Sequence, residues 1–173
     1  MHTVYHPLSG RTSALEFQKN LSSVDAVIVH SYIQEFELQC QGVDPSNIHR
    51  IPHGTLLNPY LGEPRYSLAE DLGIGGDRVT GFILVLPGFL RRDKGLDILS
   101  KALDYGKWPS KTTFIVAGEV RDSVVKEFIE KISEKVNTVF LEKYLAKEEI
   151  LKLIALADAI ILPYHDKPRA YSV

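Results

Sequence analysis

From residue 80 onward, short uninterrupted apolar runs alternate with helical patterns, and few folds accept that order. The runs occupy residues 80–86, 112–117, 136–141 and 159–162 and are rich in β-branched residues. A strand with one face in water alternates apolar and polar residues, so a continuous run predicts a strand covered on both faces. Between the runs lie helical stripes. Val125, Phe128, Ile129, Ile132 and Val136 recur at i, i+3, i+4, i+7 and i+11, Ile150, Leu153, Ile154 and Ala157 repeat the stripe, and another amphipathic helix begins near Leu96. The order βαβαβαβ predicts an α/β fold with a doubly wound, Rossmann-like parallel sheet.

The first part of the chain reads as a smaller unit. Residues 25–30 predict a buried strand, and Ser31-Tyr32-Ile33-Gln34 matches a capping box that opens a helix with Ile33, Phe36 and Cys40 on one face. Gly42 closes that helix, and a second short strand follows at 48–51. Gly54, Pro59, Gly62 and Pro64 then fall in a stretch without periodicity, the composition of a linker. The expected organisation is therefore a first unit over 1–55, a linker over 56–79 and a second unit over 80–173.

Composition narrows the function. The 173 residues are 45% apolar and 24% charged, as in an ordinary globular protein. Twenty basic against 22 acidic residues leave a formal net charge of -2, so no overall field favours nucleic acid, and an anion site must be local. The single cysteine, Cys40, reads as a small buried hydrophobe in a reducing compartment. No signal-peptide pattern or apolar run of about 18 residues occurs, and a cytoplasmic location is expected.

The strongest local candidate is Gly88-Phe89-Leu90-Arg91-Arg92-Asp93-Lys94-Gly95, which joins the first buried strand to its helix. Open α/β sheets bind anions at the carboxyl ends of their strands, and three cations in four residues suit a diphosphate. The same residues also fit a solvated basic turn. Neither the P-loop nor the dinucleotide glycine spacing is present. Gly118-Glu119 ends the next strand at the same edge, where glycine serves either a ligand's close approach or a tight turn. His2 and His6, and His49 and His53, are spaced by four, but Pro52 interrupts the second pair, so a metal site is not expected.

Five segments in register resemble the family 4, or group 1, glycosyltransferases: Asp25-Ala26-Val27-Ile28-Val29-His30-Ser31, Ile48-His49-Arg50-Ile51-Pro52-His53-Gly54, the Gly88 to Gly95 loop, Phe114-Ile115-Val116-Ala117-Gly118, and Ala157-Asp158-Ala159-Ile160-Ile161-Leu162-Pro163-Tyr164. The resemblance implies the GT-B architecture, two Rossmann-like domains facing across a cleft. By it, residues 1–55 are the end of the acceptor-side domain and 80–173 the start of the nucleotide-sugar domain. It implies transfer of a sugar, with retention, from a nucleoside-diphosphate donor without a metal or other cofactor. Lys94 matches the family lysine on the donor diphosphate and Arg91 its companion arginine. Gly88, Gly95, Gly118, Glu119 and Tyr144 fall at donor-binding positions, and His6 resembles the loop histidine that faces the transferred sugar.

The sequence departs from the family pattern in several respects: Phe89 stands where the companion arginine often follows the first glycine, and the initial strands of the first domain are not represented. The Glu-x7-Glu element that contacts sugar and ribose would follow residue 173, and a complete enzyme of two such domains needs about 300 to 400 residues. The expectation is therefore a fragment or a split subunit. The resemblance leaves the acceptor open among lipids, polysaccharides and small molecules, and it is compatible with peripheral membrane association of the intact enzyme. The rival class is a non-catalytic nucleotide-binding remnant, or a subunit completed by a partner chain. A sugar epimerase of the same architecture would need acidic and histidine catalytic groups not found here.

Overall fold

The computed structural model describes Leu21, residues 24–106 and residues 108–165. The chain divides into two compact units, one that includes Met1–Leu56 and one formed by Leu57–His165.

In the first unit, β1 (Val27–Val29) pairs in parallel with β2 (Ile48–Arg50), Val27 opposite Ile48. Helix α1 (Tyr32–Cys40) connects them. Its capping box forms: the Gln34 N–H donates to Ser31 Oγ at 3.3 Å, and Gln34 Oε1 accepts from the Ser31 N–H at 3.2 Å. The buried face differs from the expected one. Ile33 and Phe36 are 70% and 65% exposed and Cys40 is exposed, whereas Leu38 is fully buried against Val27, Val29 and Ile48. Leu38 lies five residues from Ile33, about 140° around the helix. The cap and the 3.1 Å pair between Glu35 and Arg50 are consistent with that rotation. Cys40 is thus not the buried hydrophobe its stripe implied.

The second unit is a four-stranded parallel sheet in the order β5-β4-β3-β6. Its strands are β3 (Phe82–Pro87), β4 (Thr112–Ala117), β5 (Asn137–Leu141) and β6 (Ala159–Ile160). Helices α3 (Leu96–Tyr105), α4 (Val124–Ser133) and α5 (Lys147–Leu156) alternate with them. Successive strand residues face opposite ways, and both faces are covered. Leu84, Leu86, Phe114 and Val116 pack against Leu96 and Leu99 of α3 and Val125, Ile129 and Ile132 of α4. On the other face, Ile83, Val85, Ile115 and Val139 meet Leu153 and Leu156 of α5. Helix α5 is turned slightly from expectation: Leu156 is buried while Ile154 is 38% exposed.

The stretch read as a linker contains a helix, α2 (Arg65–Asp71). Leu68, Ala69, Leu72 and Ile74 join the second face of the sheet, so this segment is part of a core. Flanking prolines and glycines hide a helix this short from a periodicity search. Arg65 donates to Asp158 Oδ1, and Asp158 Oδ2 accepts the Ile83 N–H at 2.8 Å, tying α2 to the starts of β3 and β6.

The strand order carries the functional consequence. β3, β4 and β5 are laid down in one direction, and β6 then returns to the opposite side of β3. In open α/β sheets such a reversal leaves a crevice at the carboxyl ends of the two strands, here β3 and β6.

Candidate functional site

The loop after β3 is built on its neighbours. The Gly88 N–H donates to Ala117 O, the Leu90 N–H to Glu119 O and the Arg121 N–H to Leu90 O, each at 2.9 Å, so the loops after β3 and β4 are laced together. Gly118 makes this approach possible: a Cβ there would lie 1.9 Å from Gly88 O. Glycine therefore serves here as a backbone contact between two strand ends.

Residues 92–94 form one turn of 3-10 helix that buries Asp93 and Lys94. The three cations meet different partners. Asp93 Oδ2 accepts from Arg91 Nη2 at 3.2 Å, with Arg91 Nε in ion-pair range of Asp93 Oδ1 at 3.1 Å, and Arg92 pairs with Asp122 at 3.4 Å. Lys94 is 8% exposed, and its Nζ donates to the Tyr164 hydroxyl. Among the described residues no carboxylate pairs with it. Burying an ammonium beside a hydroxyl is costly unless an anion comes to it.

The expected donor residues are partly gathered. Gly88, Gly118, Glu119 and Tyr144 line one cavity of about 130 Å³, together with Phe89, Leu145 and Ile150. Its wall is largely apolar. Phe89 and Tyr144 face each other at 6.1 Å between ring centroids, and the Arg121 guanidinium lies 4.9 Å from the Phe89 ring while bonding Glu119 at 2.9 Å. Lys94 adjoins the cavity through Gly88, whose missing Cβ would be 3.6 Å from Nζ. Gly95 begins α3 instead, beneath Pro163; a Cβ there would meet Pro163 O at 1.7 Å. Arg91 pairs with Asp93 and is not among the residues lining the cavity. His6 lies outside the described residues.

Sequence reasoning assigned no role to Tyr164 or His165. Tyr164 is 70 positions from Lys94, and only the return of β6 beside β3 joins them. Among the described residues, no three His, Cys, Asp or Glu side chains cluster as a metal site, and no helix is long and apolar enough to cross a membrane.

No protein-family model and no curated protein matches the sequence. Solved structures do resemble it. HepE of Anabaena, in complex with UDP and glucose, superposes with a TM-score of 0.66 at 22% identity over 92% of this chain and 44% of that one. The N-terminal domain of Candida albicans trehalose-6-phosphate phosphatase gives 0.57 at 15% identity, over 89% and 42%. The catalytic domain of Arabidopsis thaliana starch synthase IV, bound to ADP and acarbose, gives 0.55 at 14% identity, over 90% and 38%. The chain thus spans less than half the length of each. The likeness establishes the fold, Rossmann-like α/β of the GT-B type with parallel sheets.

Proposed function

We propose that this chain carries the donor side of a glycosyltransferase and binds a nucleoside-diphosphate sugar at the carboxyl edge of the Leu57–His165 sheet. One observation carries the reading: Lys94 brings to the crevice between β3 and β6 a buried cation that pairs with no carboxylate among the described residues. HepE structures hold UDP with glucose, or UDP-glucose, which supports the same ligand class for this fold.

In the proposed reaction, the bond from the anomeric carbon to the diphosphate oxygen breaks and a bond to the acceptor oxygen forms, with retention of configuration. The acceptor's proton passes to a base, and negative charge grows on the departing diphosphate. Lys94 stabilises that charge, and Arg91 joins it by sharing its guanidinium between Asp93 and the ligand. These fixed cations do the work a divalent metal does in other transferases. Family resemblance gives His6 the place facing the transferred sugar. The apolar cavity beside Phe89 and Tyr144 suits the flat, weakly polar part of the donor.

A second reading is binding without transfer, by a nucleotide-binding remnant or a subunit completed by a partner chain. It is favoured by the gathering of every described donor candidate within Leu57–His165. Titration calorimetry of the full chain with UDP-glucose and GDP-mannose tests both. Heat of binding with at least one donor is expected, and Lys94→Ala should weaken it at least tenfold, the scale of a charged hydrogen bond. Absence of heat with either donor removes the donor site. Binding without consumption of the donor in the presence of acceptors selects the second reading.

A further inference from the structure

Three consecutive residues after β6, Pro163, Tyr164 and His165, contact the loop that carries Lys94. Pro163 O occupies the space left by the absent side chain of Gly95. The His165 N–H donates to Asp93 O at 3.0 Å, and His165 Nε2 lies 2.7 Å from Asp97 Oδ1 in the first turn of α3. Tyr164 is thereby held on both sides, and its hydroxyl accepts from Lys94 Nζ while its ring centroid lies 4.5 Å from that nitrogen.

We propose that Tyr164 is a positioning residue that holds the Lys94 ammonium ready for the ligand's diphosphate. This rests on the reading that a nucleoside diphosphate binds at that crevice. An ammonium has three donors, and the phenol takes one of them, leaving two for phosphate oxygens. The acceptor is a hydroxyl, whereas Arg91 and Arg92 each meet a carboxylate, that of Asp93 and Asp122. A free lysine side chain would lose much rotamer freedom on gripping a phosphate. Held by Tyr164, Lys94 has already lost it when the ligand arrives. The coupling also makes the segment after β6 part of the diphosphate site, although it reaches it through Lys94.

The test is a double-mutant cycle of Tyr164→Phe and Lys94→Ala in the full chain. Calorimetry uses whichever of UDP, ADP and GDP binds the wild type most tightly, with the matching nucleoside as control. Tyr164 is 47% exposed, and phenylalanine keeps its ring, so the variant should still fold, with a melting temperature lowered by no more than the loss of the one hydrogen bond to Lys94. Tyr164→Phe is expected to weaken diphosphate binding about five- to tenfold, the net effect of one hydrogen bond, and to leave nucleoside binding unchanged. In the Lys94→Ala background it should cause no further loss. Wild-type affinity in Tyr164→Phe, or an equal loss with Lys94 already gone, overturns the positioning role while leaving the donor site standing. A wild-type chain that binds none of the three diphosphates overturns the donor site itself, and the positioning role with it.

Discussion

Lys94 sets a cost against a use. Burying an ammonium beside a neutral hydroxyl forfeits hydration that the phenol replaces only in part, so the empty protein should be less stable with lysine than with an apolar side chain of similar length. We expect Lys94→Met to raise the melting temperature, equivalent to about 1 kcal/mol, while lowering diphosphate affinity. Differential scanning calorimetry without ligand checks the first effect; a lower melting temperature would show that Lys94 stabilises the fold and would weaken the case that it waits for an anion. Gly88, Gly118 and Glu119 were readable in the sequence because they end strands at one edge, whereas Tyr144 entered only through the family resemblance. The Tyr164 contact was not readable, because no local pattern reports which distant strand lies beside β3.

Among the elements, the strands were the most legible. Their continuous apolar runs follow from helices on both faces; β4 and β5 lie within the expected runs, and β3 passes the end of its run by one residue, Pro87. Helix α2 was lost to its flanking prolines and glycines, although Leu68, Ala69 and Leu72 carry a single turn of the apolar pattern. It is fixed to the sheet by Arg65 and Asp158. Burial pushes the Asp158 carboxyl up, but the Ile83 N–H and Arg65 outweigh it and hold the group below its ordinary value of 3.8. A carboxyl lowered in the folded state adds stability above its unfolded pKa, and that contribution fades as pH falls through the lower folded value. Asp158→Asn should therefore be less stable than wild type at neutral pH by about 1 to 2 kcal/mol, with the gap closing below about pH 4. Urea unfolding at several pH values reads this directly; a gap that stays constant down to pH 2 would contradict it.

At the scale of the molecule, strand order matters more than any motif. The reversal at β3 brings the loop carrying Lys94 and the segment carrying Tyr164 to one crevice, and the lacing of residues 88–90 to 117–121 sets an apolar cavity beside it. The sheet's opposite edge, around Lys111 and Asn137, supplies an internal control because it belongs to the same unit. The decisive measurement is an amide-resolved NMR titration of the chain with UDP, ADP and GDP. At least one should shift the signals of Gly88, Lys94, Gly95, Gly118 and Tyr144 together, in proportion to a single saturable binding event, and leave Lys111 and Asn137 unmoved. Shifts confined to the Lys111 edge, or none with any of the three, would contradict a diphosphate site at the carboxyl edge.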